Sequence, residues 1–236
     1  MRTALCAVTI IAATTISALA DDLTITSRVT AADGKTSTAV SYFSKDHVRI
    51  GGGDGEDSLF DMATGQMTTI DTKKKTYYVQ TREDIDRMAA TLQATMKKVK
   101  EYAPADRFNF KVQNTGTTRK IAGFTCELWT ISAGTSSNTE NCVTNDLPFP
   151  PHSWDMYSKS SEQMSSVLGS MAASGAKMKA EMLKMKGYPL LTRSTMVIMG
   201  QKTVVGIEVT AIRQGSIPSS VWAIPAGYTK VANPMD

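Results

Sequence analysis

Few residues of this chain have the type and spacing to do chemistry. There are two histidines, His47 and His152, and three cysteines, Cys6, Cys126 and Cys142. His47 sits beside Asp46 and Arg49 in a short strand-like run. As a catalytic base it would need a nucleophile and an orienting group, and no G-x-S-x-G elbow is present. Its simpler reading is an ordinary strand histidine. His152, next to Pro151, reads as a loop residue. The run Gly51–Asp57, GGGDGED, offers Asp54, Glu56 and Asp57. Carboxylates on such a loop can bind calcium, but the EF-hand spacing is absent and a solvated turn is the better reading. No G-K-[ST] follows the glycines, so they do not make a phosphate loop. Lys73-Lys74-Lys75 reads as a solvated hairpin tip. No catalytic residue, metal site or cofactor is assigned, and the expectation is a protein that is not an enzyme.

The cysteines and the N-terminus bear on the compartment. Arg2, the apolar run Ala4–Ile16 and the Ala18-Leu19-Ala20 cleavage pattern before Asp21-Asp22 read as a secretory signal peptide over residues 1–20. The expected location is the periplasm, with secretion outside the cell as the other destination. The apolar run is too short for a comfortable membrane span. Cleavage removes Cys6 and leaves Cys126 and Cys142 in an oxidising compartment, where an even pair reads as a disulfide. Closing a loop of that length contributes roughly 3 kcal/mol in the chain-entropy model. A metal or redox pair is the alternative, but the spacing is not C-x-x-C. The formal net charge of +4 is too small to argue for a nucleic-acid partner.

The methionines say more. The chain has 14, and Met88, Met96, Met164, Met171, Met178, Met182 and Met185 fall on two helical patterns. Methionine is unbranched and polarizable and fits irregular apolar partners. Two such helices against a sheet could line a cavity or form a lid; plain core packing is the competing reading.

These residues need elements to position them. The chain is organised around Ser58–Thr81, which reads as a three-stranded meander of Leu59–Met62, Gln66–Asp71 and Thr76–Gln80. Before it, Leu23–Ala31 and Thr36–Ser44 alternate as a hairpin, and His47–Ile50 is a third strand. At Thr81 the period changes. Thr81-Arg82-Glu83-Asp84 resembles a capping box, and Ile85, Met88, Ala89, Leu92, Met96 and Val99 recur at helical spacing up to Pro104. Strands are then expected over Phe108–Asn114, Thr117–Ala122, Phe124–Ser132 and Asn138–Thr144, with Gly123 as a bulge or bend. Cys126 and Cys142 are symmetric about Gly134, as opposed residues of a hairpin centred there would be. Asp146–Ser153 is proline-rich and irregular. A second helix opens at Ser160 with Met164, Val167, Leu168 and Met171 on one face and ends at Gly187 and Pro189. Leu190–Gly200, Thr203–Gly215 and Ser219–Ile224 finish the sheet. The reading is one domain over 21–236.

Several segments resemble a family of exported bacterial domains of unknown function (DUF4412-like): Leu59-Phe60-Asp61-Met62 through Lys75-Thr76-Tyr77-Tyr78-Val79, Lys120-Ile121-Ala122-Gly123-Phe124-Thr125-Cys126-Glu127, Gly187-Tyr188-Pro189-Leu190, and Ile217-Pro218 on to Pro225-Ala226-Gly227-Tyr228. That family is similar in architecture to the periplasmic lipoprotein carriers of the LolA/LolB superfamily. The resemblance implies a mainly β fold, an unclosed antiparallel half-barrel with two amphipathic helices on its concave face. It also implies an apolar ligand, such as a lipid acyl chain, between sheet and helices. The expected lining is Met88, Leu92, Met96, Met164, Leu168 and Met171. The alternative is an envelope interaction protein. Its methionine face, with Lys177, Lys179, Lys184 and Lys186, would meet a partner protein or a membrane surface.

Overall fold

The structure is a computed structural model and describes residues 22–102, 110–133, 137–150, 153, 155, 183–198 and 201–234; of residues 89, 92, 93 and 96–102 in its helix only the backbone is described. Among the described residues, twelve strands form one sheet: β1 (Leu23–Thr30), β2 (Thr36–Phe43), β3 (His47–Gly51), β4 (Glu56–Asp61), β5 (Met67–Asp71), β6 (Thr76–Gln80), β7 (Phe110–Ile121), β8 (Phe124–Ala133), β9 (Ser137–Thr144), β10 (Tyr188–Ile198), β11 (Gln201–Gln214) and β12 (Thr229–Lys230). Their order across the sheet is β12-β6-β5-β4-β3-β2-β1-β11-β10-β9-β8-β7. The sheet does not close, because β7 and β12 are its two edges. Every pairing is antiparallel except β12 with β6, which is parallel and two residues long. The mainly β, unclosed antiparallel architecture expected from the sequence is therefore the one observed.

The meander forms where its turn chemistry directs it. The Asp61 carboxylate accepts the backbone N–H groups of Ala63 and Thr64, and Asp71 does the same for Lys73 and Lys74. These N–H donors, Thr64 first for Asp61 and Lys74 first for Asp71, hold both carboxyls below their ordinary range. The bulge or bend expected at Gly123 is a two-residue hairpin turn. Ala122 and Gly123 both have positive φ, 48° and 91°, and Ile121 faces Phe124. Two left-handed residues in a row match the right-handed twist of the flanking strands. The two strands expected over 108–122 are one strand, β7, with an irregularity between Asn114 and Thr118.

Ser219–Ile224 is not a strand. Ser219–Trp222 is a 3-10 turn preceded by Pro218 and followed by extended Ala223. The Trp222 side chain is used for contact with the sheet rather than for pairing within it. The second helix expected from Ser160 lies outside the described residues except at its C-terminal end, 183–186.

Helix α1 (Arg82–Tyr102) follows β6 directly. Its start is a reciprocal cap. The Asp84 N–H donates to Thr81 Oγ1 at 3.2 Å, and the Asp84 carboxylate accepts the Thr81 N–H at 2.9 Å and the Thr81 hydroxyl at 2.8 Å. The Thr81 backbone N–H is the main cause of the lowered Asp84 pKa.

The main core gathers Leu23, Ile25, Phe43, Val48, Cys126, Leu128, Cys142, Leu147, Leu190, Leu191 and Val209. Phe43 meets Phe149 edge-on at 4.9 Å and Tyr188 at 6.3 Å. A second cluster joins Val112, Trp129 and Val143, with Ile131 and Met185 against it. Successive residues of a strand face opposite ways. Leu128 and Trp129, or Cys142 and Val143, therefore put the two clusters on opposite sides of β8–β9.

Candidate functional site

Of the expected lining, α1 carries Met88, Leu92 and Met96. Met88 is 37% exposed, Ile85 one turn earlier is half-buried, and no described side chain of α1 is buried. Only the backbone is described at Leu92 and Met96, and Met164, Leu168 and Met171 lie outside the described residues. The helix meets the sheet chiefly at β6. Its apolar positions, spaced i, i+3, i+7 and i+11 from Ile85, recur on one helical face.

The cysteines are joined, with S–S 2.11 Å and Cα–Cα 5.3 Å. The pair is diagonal, because Cys142 faces Leu128 in the β8–β9 register. The symmetry about Gly134 is thus displaced: Ala133 faces Ser137, and the hairpin is centred one residue later. Both cysteines are within the main core.

The histidine and the acidic loop have structural partners. The His47 ring stacks on Trp222 with centroids 5.4 Å apart, and Tyr42 meets Trp222 edge-on at 6.3 Å. Asp57 lies on β4 rather than in the loop. Its carboxylate accepts two bonds from the Arg49 guanidinium, at 2.7 and 3.0 Å. The same guanidinium donates to the Val221 carbonyl at 2.7 Å. Asp54 accepts the N–H of Glu56 within the turn. The glycines answer to space. A Cβ on Gly51 would lie 2.7 Å from the Val40 carbonyl oxygen, and Gly53, at φ +76°, lies close over Ser37. Among the described residues, no group of three or more His, Cys, Asp or Glu side chains could hold a metal ion.

The sequence reading missed the path of the C-terminal segment. It leaves β11, where the Gly215 N–H donates to the Asp22 carbonyl, and crosses the sheet over Tyr42, His47 and Arg49. It ends beside β6, where the N–H groups of Thr229 and Val231 donate to the carbonyls of Lys75 and Tyr77. By strand alternation Tyr42, His47, Arg49, Asp57, Leu59 and Ile70 share the strapped face, opposite Phe43, Val48 and Phe60. Leu59 and Ile70 are buried there. The prolines at 218 and 225 around Val221-Trp222 were the available signal.

Among the described residues, grooves open on the sheet. One of about 470 Å³ lies beside the strap over Val40, Tyr42, Gly53 and Asp57, and one of about 360 Å³ lies under its start at Thr24 and Ser216. The third, about 610 Å³, runs across β1, β11, β10 and β9. Its floor is Gly206, and Arg28, Glu208, Arg193 and Glu140 stand around it, with Arg28 and Glu208 ion-paired. It is a polar groove, suited to a charged or hydroxylated group rather than to an acyl chain. No helix among the described residues is long and apolar enough to cross a membrane.

An open antiparallel sheet, strapped on one face and bordered by a capped amphipathic helix, defines the class of this protein. Residues 24–228 match the model of the family described as a domain of unknown function (DUF4412), and the chain belongs to that family. No curated protein matches the sequence significantly. Among solved structures, an uncharacterized conserved protein from Thermus thermophilus is 6% identical over 89% of each chain, with a TM-score of 0.44. PNGF-II is 13% identical with a TM-score of 0.40, over 89% of this chain and 31% of its own. MucB in complex with MucA(peri) is 11% identical with a TM-score of 0.35, over 87% of this chain and 54% of MucB. The chain thus spans about a third of PNGF-II and about half of MucB. No function is carried from these loose likenesses to this chain.

Proposed function

We propose that this protein is a non-enzymatic, exported binding protein of the periplasm whose ligand is apolar, a lipid acyl chain or a comparable hydrophobic molecule. The observation that supports this reading is α1. It is a 21-residue helix with a reciprocal cap, yet Met88 stands exposed and Ile85 is half-buried. A helix that served only as core would bury that stripe against the sheet. A stripe left partly in water gains free energy when apolar surface covers it, at about 25 cal/mol per Å². The binding surface is proposed to include Met88, Leu92 and Met96 of α1, with Met164, Leu168 and Met171 of the second helix expected from the sequence. Methionine at most of these positions lets the surface adapt to ligands of different shape. Export by a cleaved signal peptide is part of the same proposal and accords with the oxidised Cys126–Cys142 pair.

Native mass spectrometry of the protein purified from the periplasm, followed by organic extraction, tests the reading. A co-purifying lipid that is lost from Met88→Asp and Met164→Asp/Met171→Asp variants is the expected result. A wild-type protein that neither co-purifies with nor takes up any lipid or fatty acid overturns it. The second reading, an envelope interaction protein whose methionine face meets another protein, would then take its place.

A further inference from the structure

The two edges of the sheet are finished differently. On one side the C-terminal segment closes β6: β12 pairs with it over two residues, and the N–H groups of Thr229 and Val231 donate to Lys75 and Tyr77. On the other side β7 runs for 12 residues and pairs only with β8. Alternate residues of such a strand turn their N–H and C=O groups away from the neighbour and leave them open. Among the described residues, the hydrogen bonds of β7 go to β8 or stay within its own irregularity. From Lys111 to Lys120 every residue except Val112 is exposed. The irregularity is held locally. The Gly116 N–H donates to Asn114 Oδ1 at 2.8 Å, and the Thr115 hydroxyl to the Leu128 carbonyl at 2.9 Å. It parts the edge into two regularly paired arms, Phe110–Asn114 and Thr118–Ile121.

The charge on this edge has one sign. β7 carries Lys111, Arg119 and Lys120 and no acidic residue. Among the described residues, none of the three is in an ion pair. Lys111 and Arg119 lie on one face, opposite Ser132 and Cys126, and Lys120 lies on the other, opposite Thr125. Basic residues and bulges on an edge guard a sheet against pairing with its own copies. Two β7 strands joined about a two-fold axis would set three cations against three with no carboxylate between them. The same charges favour a different strand, one with carboxylates on both faces. A purely anionic surface would answer the side chains alone, whereas an extended peptide also satisfies the open row of backbone groups. We propose that the β7 edge takes an extended, acidic segment of a partner protein as an added strand of the sheet. Main-chain bonds then supply affinity, and the three cations select the sequence. The site lies at the edge opposite β6 and α1. It goes beyond the ligand reading, because it operates whether or not α1 carries a lipid.

The test is fluorescence anisotropy of the full exported chain with a labelled synthetic peptide of glutamate, valine and threonine that has glutamate on both faces of its strand. Binding is expected, and it should weaken as salt is added. The same peptide with lysine for glutamate should not bind. A third peptide keeps the acidic charge but has proline at every third position, so it cannot donate along a strand. It should bind about tenfold more weakly than the first. Arg119→Glu/Lys120→Glu should weaken the acidic peptide about tenfold and admit the lysine peptide. Both side chains are exposed, so the thermal midpoint of this variant should stand. A second measurement reads the backbone directly: hydrogen exchange at amides of the two β7 arms should slow when the acidic peptide is added. An acidic peptide that does not bind overturns the proposal. Equal binding by the proline peptide, or unslowed exchange in β7, also overturns it, because charge alone is then at work. So does a wild type whose β7 amides are already protected by self-association, since the edge is then an interface between copies.

Discussion

The strapped end of the sheet and the β10–β11 tip use similar residues to opposite ends. In β3–β5, each apolar side chain that alternation sends to the outer face meets a cover. Leu59 and Ile70 are buried, and the C-terminal segment is held over that face by Arg49, His47 and the β6 edge. On the β10–β11 hairpin, Val197 and Val204 follow the same alternation and stay 46% and 37% exposed, as does Ile207 beside Val29 of β1. Strand pattern fixes which way a side chain points. Whether it is core or surface depends on a segment far away in sequence. Val221 lies 172 positions from the Arg49 that binds it.

Substitutions at the two ends should separate them sharply. The largest effect belongs to Phe43, 1% exposed and in contact with Phe149 and Tyr188. Phe43→Ala is expected to cost about 3–5 kcal/mol, seen as a midpoint shift in urea unfolding with little change in slope. A loss under about 1 kcal/mol would mean that the aromatic group is loosely packed. Removing the disulfide by Cys126→Ala/Cys142→Ala is next, at roughly 3 kcal/mol for a loop of this length. The check is the thermal midpoint, with the variant compared to the wild type under non-reducing conditions.

Arg49→Ala should cost about 2–3 kcal/mol, since Asp57 would remain half-buried without its cation. The informative readout is hydrogen exchange at the amides of Thr229 and Val231, which should speed up as the strap loosens. Unchanged protection there would assign the strap's hold to Trp222 instead. A pH effect separates the ends as well. Burial pushes the Tyr188 hydroxyl up to about 12. A raised folded-state pKa contributes stability that is complete below the unfolded value near 10 and is lost as pH rises toward 12. Tyr188→Phe should flatten stability over that alkaline window, as followed by denaturant midpoints, whereas tip variants should leave its slope unchanged.

How far the sequence could be read follows the same division. The β1–β6 meander and the α1 cap are local: Asp61, Asp71 and Thr81 each bond within three residues, so short windows contain the whole cause. The Cys126–Cys142 pairing was legible from compartment and count, but its diagonal geometry was not. The hairpin centre depends on the β8–β9 register, one residue from the symmetric guess. Val221, Trp222 and Ile224 carry strand propensity, yet the segment turns at Pro218 and holds to the sheet through the Trp222 ring and the Val221 carbonyl. β12 is two residues long and has no period to detect. At the candidate site, the α1 stripe was visible in the spacing of Ile85 and Met88, while its exposure was not, because burial is a tertiary property.

The smallest expected effect is the one that most sharpens the contrast. Val197→Ser/Val204→Ser removes two apolar side chains from the tip without adding charge. Valine carries β propensity, and exposed strand positions elsewhere are worth only tenths of a kcal/mol. The variant should unfold within about 0.5 kcal/mol of the wild type. A cost of about 2 kcal/mol or more would place the valines in a packed environment and erase the difference between the two ends of the sheet. If the small value is found, folding stability does not account for the two valines. Their exposure is then a property of the surface alone, whereas the burial of Leu59 and Ile70 is a property of the fold.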